Sequence, residues 1–66
     1  MTTVFVATRD FQVVVQRDED GGHLVRLEDV RSQQSIVLRG RIPREELAEA
    51  YARGLANFIS RPTLIR

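Results

Sequence analysis

The sequence predicts an α+β fold: a small antiparallel β-sheet of three to four strands with one C-terminal amphipathic helix packed on one face. Three observations predict it. Residues 3–41 read as short runs in which apolar and polar side chains alternate. An acidic loop ending in paired glycines, Asp18-Glu19-Asp20-Gly21-Gly22, separates two of those runs. From Pro43 onward the apolar repeat lengthens from two residues to about 3.6.

The first organised stretch, Thr3 to Arg17, is too long for one strand of ordinary length, about 5–6 residues. It divides at Arg9-Asp10, by a bend, a bulge or a turn, into strands at 3–8 and 11–17. In the second, Phe11, Val13 and Val15 share one face and Gln12, Val14 and Gln16 the other. The acidic Gly-Gly loop then closes a hairpin, because its acids solvate easily and its glycines accept positive φ without a Cβ clash. The chain returns over 23–30, with Val25 and Leu27 inward and Leu24, Arg26 and Glu28 opposite. After the polar connection Arg31–Gln34, a fourth strand over 35–41 turns Ile36 and Leu38 inward and Val37, Arg39 and Arg41 outward. Gly40 falls on the inner face, where a missing side chain admits the start of the helix.

The helix is expected over 43–60. Pro43 suits a first helical position, since its φ is already helical and its absent N–H had no partner to lose. Glu45 and Glu46 occupy the first turn, where negative charge is favoured, and Pro62 stops the helix. At about 100° per residue, Leu47, Phe58, Tyr51, Leu55, Ala48, Ile59 and Ala52 fall within an arc of about 140°, with Glu46, Glu49, Arg53, Asn57 and Ser60 opposite. That stripe is expected to cover the sheet and make the core. The tail, residues 61–66, adds Leu64 and Ile65 beyond Pro62, as an extra edge strand, a partner contact or a fraying end.

Residues 1–66 form a single domain. A chain of this size buries only about 60% of its unfolded surface, and small domains without staples commonly recover stability by associating. All ten basic residues are arginine, against nine acids, and there is no cysteine. Disulfides and thiolate metal sites are therefore excluded, and the single His23 supplies no histidine cluster. No stretch approaches the ~20 apolar residues of a membrane span, and the N-terminus has no signal-peptide pattern, so no membrane association and a cytoplasmic address are expected. Residues 1–30 carry three arginines against six acids, a net −3, and residues 31–66 seven against three, a net +4. Such asymmetry orients a partner or a second copy.

One helix covers one sheet face. On the other, Val14, Leu24 and Val37 stand among long polar side chains, with Arg26, Arg39 and Arg41 beside them. Scattered aliphatics are ordinary on a surface; clustered and rimmed by arginine, they have the composition of a protein contact. The alternative is a nucleic-acid-binding accessory protein that uses the same arginine-lined face for phosphates. Sheet-face binders of single strands stack bases on aromatic rings, however, and Phe5, Phe11, Tyr51 and Phe58 are expected on the core side.

Catalysis needs a nucleophile with its base, a carboxylate pair in a cleft or a metal site, and none is legible. Asp18, Glu19 and Asp20 lack the calcium-loop spacing, and Gly21-Gly22 lacks that of a phosphate loop. No enzyme, cofactor or metal is expected. Ala50 and Gly54, four apart at the border of the apolar arc, leave a shallow edge that either admits a neighbouring backbone or is a tolerated defect.

Phe11-Gln12-Val13-Val14-Val15, followed by Asp18-Glu19-Asp20-Gly21-Gly22-His23-Leu24-Val25, resembles the opening hairpin of HicB-type antitoxins. Gly40-Arg41-Ile42-Pro43-Arg44-Glu45-Glu46-Leu47-Ala48 is similar to that family's approach to its helix, so the resemblance spans residues 11–59. The family's Pro-Asp-Leu-Pro-Gly-like stretch is replaced by Leu27-Glu28-Asp29-Val30, and residues 1–66 are expected to carry no DNA-binding segment of the kind appended in that family. The resemblance implies a partially RNase H-like α+β domain that dimerises and neutralises a small toxin nuclease. Sequence and resemblance together lead to a noncatalytic regulatory domain, a homodimer that binds a protein partner through Val14, Leu24, Arg26, Val37, Arg39 and Arg41.

Overall fold

The computed structural model describes residues 2–60. Four strands, β1 (Thr2–Val6), β2 (Phe11–Arg17), β3 (His23–Asp29) and β4 (Gln34–Ile42), precede one helix, α1 (Glu45–Ser60). The strands form one sheet in the order β1-β2-β3-β4, each antiparallel to the next. The helix lies across one face. This is the small α+β fold that the periodicities predict. The expectation for the tail lies outside the described residues.

Each connection is held by a specific side chain or backbone geometry. Between β1 and β2 the Thr8 hydroxyl accepts from the N–H groups of Asp10 and Phe11, while Ala7 and Thr8 both donate to the Phe11 carbonyl. Arg9-Asp10 is thus part of a turn, and β1 closes at Val6 because Thr8 belongs to that turn. In the acidic loop the Asp18 N–H donates to the Gly22 carbonyl at 2.8 Å, and Gly21 takes φ 89°, which side chains rarely tolerate. Between β3 and β4 the Asp29 carboxylate accepts from the N–H groups of Arg31 and Ser32, and Gln33 takes φ 62°. The Val30 N–H reaches back to the Asp10 carbonyl at 2.8 Å, tying this turn to the first one.

The core between sheet and helix is built from small side chains. Val13, Val15 and Val25 meet Ala48, Ala52 and Ala56, with Ala7 and Ile42 closing the ends and Phe5, Leu27, Leu55 and Ile59 packed at the margin. Ala48 and Ala52 are fully buried. Alanines spaced four apart present almost bare backbone, so the helix can lie close against the valines.

Two expectations for the helix are corrected by this packing. Its first intrahelical bond runs from the Ala48 N–H to the Arg44 carbonyl, so Arg44 is the cap and Pro43 stands outside the helix. Its buried face is also rotated towards the alanines. Leu47, Tyr51 and Phe58, expected in the core, are 53%, 38% and 70% exposed. Tyr51 lies near β4, where the Arg39 guanidinium stands over its ring. The opposite flank, with Arg53 over Phe5 and Glu49 accepting from the Thr3 hydroxyl, faces β1.

Strand β4 departs from simple alternation twice. Arg26 pairs with Val37 but Val25 pairs with Arg39, so Leu38 is an inserted residue. His23 pairs with Ile42, so a second residue is inserted before it, where Arg41 takes φ 57°. The two bulges cancel: Ile36 and Ile42 both face the helix, as alternation predicts, while Arg39 between them is reversed. Gly40 admits nothing, since a Cβ there would meet no atom within 4 Å. The chain instead passes Gly22, where a Cβ would stand 3.5 Å from the Ile42 carbonyl oxygen.

Candidate interaction surface

Four of the six predicted contact residues share the face that the helix leaves open. Val14 is paired with Arg26 and with Val4, Leu24 with Gln16, and Arg26 with Val37. Val14 is only 2% exposed, although no second layer lies above it. Its neighbours account for that. The Arg26 Nε is enclosed with no hydrogen-bond partner, while its Nη1 donates to the Ser35 hydroxyl at 3.1 Å. A guanidinium held in this way lies flat along the sheet, with its apolar stem over the surface. The Gln12 amide donates to Glu28 at 2.6 Å across the same face, so the polar side chains there are paired to one another.

The other two predicted contacts are elsewhere. Arg39 is on the helix side, its guanidinium carbon 5.9 Å from the centre of the Tyr51 ring. Arg41, strained into the left-handed region, borders a hollow with Asp18, Asp20, Gly21, Gly22 and Pro43. The open face therefore holds one arginine, Arg26, among the six predicted residues' three. The expected stripe of three is absent because the insertion at Leu38 reverses the strand between Val37 and Arg39.

A second surface, which alternation and the helical wheel both missed, surrounds β4. Every residue from Gln34 to Arg41 is exposed, and β4 is an edge of the sheet with one side unpaired. Its centre, Ile36-Val37-Leu38, carries no charge. Beside its C-terminal end the helix turns out Leu47 and Tyr51, and Phe58 is exposed further along the helix. A hollow between the two elements is lined by Arg39, Gly40, Ile42, Pro43, Leu47 and Tyr51. The signal for this arrangement was the four-residue spacing of Ala48, Ala52 and Ala56, which marks the closest-packed line of the helix and leaves the larger residues to its side.

Chemistry offers little in either place. Among the described residues no group of three or more histidine and carboxylate side chains is placed to hold a metal ion. His23 lies on the core side, its Nδ1 3.3 Å from the Ile42 carbonyl oxygen. Among the same residues no helix is long and apolar enough to cross a membrane. No known protein family, curated protein or solved structure matches the chain.

Proposed function

We propose that this chain is a small noncatalytic interaction domain, dimeric and cytoplasmic, that acts by occupying the surface of a protein partner. The observation that carries this reading is the inverted distribution of apolar size. The largest fully buried side chains are valines, while Phe58, Ile36 and Leu47 are more than half exposed and Tyr51 and Leu38 more than a third. A domain that needed these residues for its own core would bury them. Left uncovered by the fold, they supply apolar area that another chain could cover.

The resemblance to HicB-type antitoxins gives the reading its regulatory form, the neutralisation of a toxin or a comparable enzyme. Leu24, Arg26 and Val37 on the open face support partner contact, with Arg39 and Arg41 at the margin, whereas Val14 is buried among its neighbours and offers no contact of its own. A nucleic-acid accessory role draws support from one observation, the exposed Tyr51 beside Arg39, but aliphatic side chains outnumber aromatic ones around them.

Capture by a tagged chain from its native lysate tests the proposal. The expected result is a stoichiometric protein that is lost with Val37→Asp while circular dichroism stays unchanged. Recovery of nucleic acid alone, with oligonucleotide affinity falling steeply as salt rises, would replace this reading with the accessory role.

A further inference from the structure

We infer that the hollow between the end of β4 and the first two turns of α1 binds an acidic segment of the partner protein, one in which a large apolar side chain stands beside carboxylates. The inference rests on the interaction reading above and specifies the chemistry that one surface takes.

The two irregularities of β4 build the hollow. In an evenly alternating strand Arg39 and Arg41 would both stand on the open sheet face with Val37. The insertion at Leu38 turns Arg39 to the helix side, and at Arg41 the backbone takes φ 57°. Bulges of this kind re-aim side chains and interrupt backbone pairing locally, so recognition at this end of β4 falls to side chains. A non-glycine residue in the left-handed region costs stability, and such residues concentrate where ligands are held.

The lining combines apolar surface with unneutralised charge. Ile42, Pro43, Leu47 and Tyr51 supply the apolar part, and Arg39 and Arg41 complete a hollow of about 310 Å³. Among the described residues the one ion pair joins Arg31 to Asp10, and the one arginine side-chain hydrogen bond joins Arg26 to Ser35. Residues 39–44 hold three arginines and no acid. Glu45 and Glu46 follow without lining the hollow, while Asp18 and Asp20 line the neighbouring one, which shares Arg41 and Pro43.

Arg39 is positioned for a carboxylate. A guanidinium held over an aromatic ring keeps N–H groups free at its edge, and that edge grips a carboxylate through paired hydrogen bonds. The same contact favours a peptide over a nucleic acid. Stacking a base needs an open aromatic face, and Arg39 stands over the single ring in the hollow. Ile42, Pro43 and Leu47 match an aliphatic side chain instead.

The chain has one tyrosine and no tryptophan, so its intrinsic fluorescence reports on Tyr51 alone. Titration of the full chain with a capped peptide, a leucine flanked by paired glutamates, is expected to change that signal saturably at sub-millimolar peptide. The same peptide with lysine for glutamate, or with serine for leucine, is expected to bind at least about tenfold more weakly. Arg41→Gly is expected to weaken the glutamate peptide by a similar factor with circular dichroism unchanged, because glycine suits φ 57°. Arg39→Gln repeats the test at the other arginine. No binding, binding that survives both substitutions, or tighter binding of an oligothymidylate than of the peptide overturns the inference. Val37 lies on the opposite face of the sheet, outside the hollow. Partner capture that is lost with Val37→Asp but kept with Arg41→Gly would therefore leave the interaction reading standing while this inference falls. Failure to capture any protein falls on the interaction reading instead.

Discussion

The guanidinium carbon of Arg39 stands 5.9 Å from the centre of the Tyr51 ring, joining the middle of β4 to the second turn of the helix. This pair exists only because Leu38 is inserted into the strand. Without the insertion Arg39 would point to the open sheet face. A cation over an exposed ring contributes about 0.5–1 kcal/mol. A double-mutant cycle of Arg39→Ala and Tyr51→Leu, read by urea denaturation, is expected to return a coupling of that size. A coupling indistinguishable from zero would mean that the pair holds nothing.

Arg44 caps the helix with a side chain that cannot accept from the free N–H groups of the first turn, and its positive charge opposes the helix dipole there. Arg44→Ser supplies the missing acceptor. We expect it to stabilise the chain by about 1 kcal/mol, which for a domain of this size raises Tm by roughly 4–8 °C. Thermal denaturation by circular dichroism reads this directly.

Two glycines make opposite predictions. At Gly21 a Cβ would meet nothing within 4 Å, yet the backbone sits at φ 89°, so Gly21→Ala is opposed by conformation alone and is expected to cost about 1–2 kcal/mol. Gly54 is in the helix with the same open surroundings and no positive φ. There Gly54→Ala is expected to gain about 1 kcal/mol. Equal effects of the two substitutions in chemical denaturation would contradict the turn geometry.

The close approach of helix and sheet predicts a sharp difference between neighbouring alanines. Ala52 is fully buried against the valines and Ala50 is exposed. Ala52→Leu forces extra atoms into filled space and is expected to cost about 1–3 kcal/mol. Ala50→Leu is expected to stay within about 0.5 kcal/mol of the parent. The same denaturation experiment measures both.

The four strands and the helix were legible because each carries its own period, and the turns because Gly21-Gly22, Thr8 and Asp29 have the chemistry that turns use. Val14, Leu24, Arg26 and Val37 were correctly placed on one face by alternation. Alternation failed at Arg39, because an inserted residue leaves no mark in the side-chain pattern, and a second insertion before Ile42 restored the phase and concealed the first. The helix was rotated in the reading for a different reason. A wheel weighted by hydrophobicity centres on Leu55 and takes in Leu47, Tyr51 and Phe58 at one margin, whereas packing against β2 and β3 is decided by which side chains let the backbone come closest. Ala48, Ala52 and Ala56 win on that criterion, and the larger residues are displaced to the flank.

The strand order β1-β2-β3-β4 leaves the sheet with two free margins of different character, one of five residues and one of nine. A contact that uses the same margin on both molecules is closed: once two copies have met, that margin is consumed and growth stops. A contact from the nine-residue margin of one molecule to the five-residue margin of the next leaves one margin of each type free, so it repeats until its rotation closes a ring or, where it does not close, as a filament. Thr2-Thr3-Val4-Phe5-Val6 is uncharged, rich in β-formers and free of proline, the composition that favours such stacking. Which margin meets which therefore decides whether growth must stop at two copies or can continue.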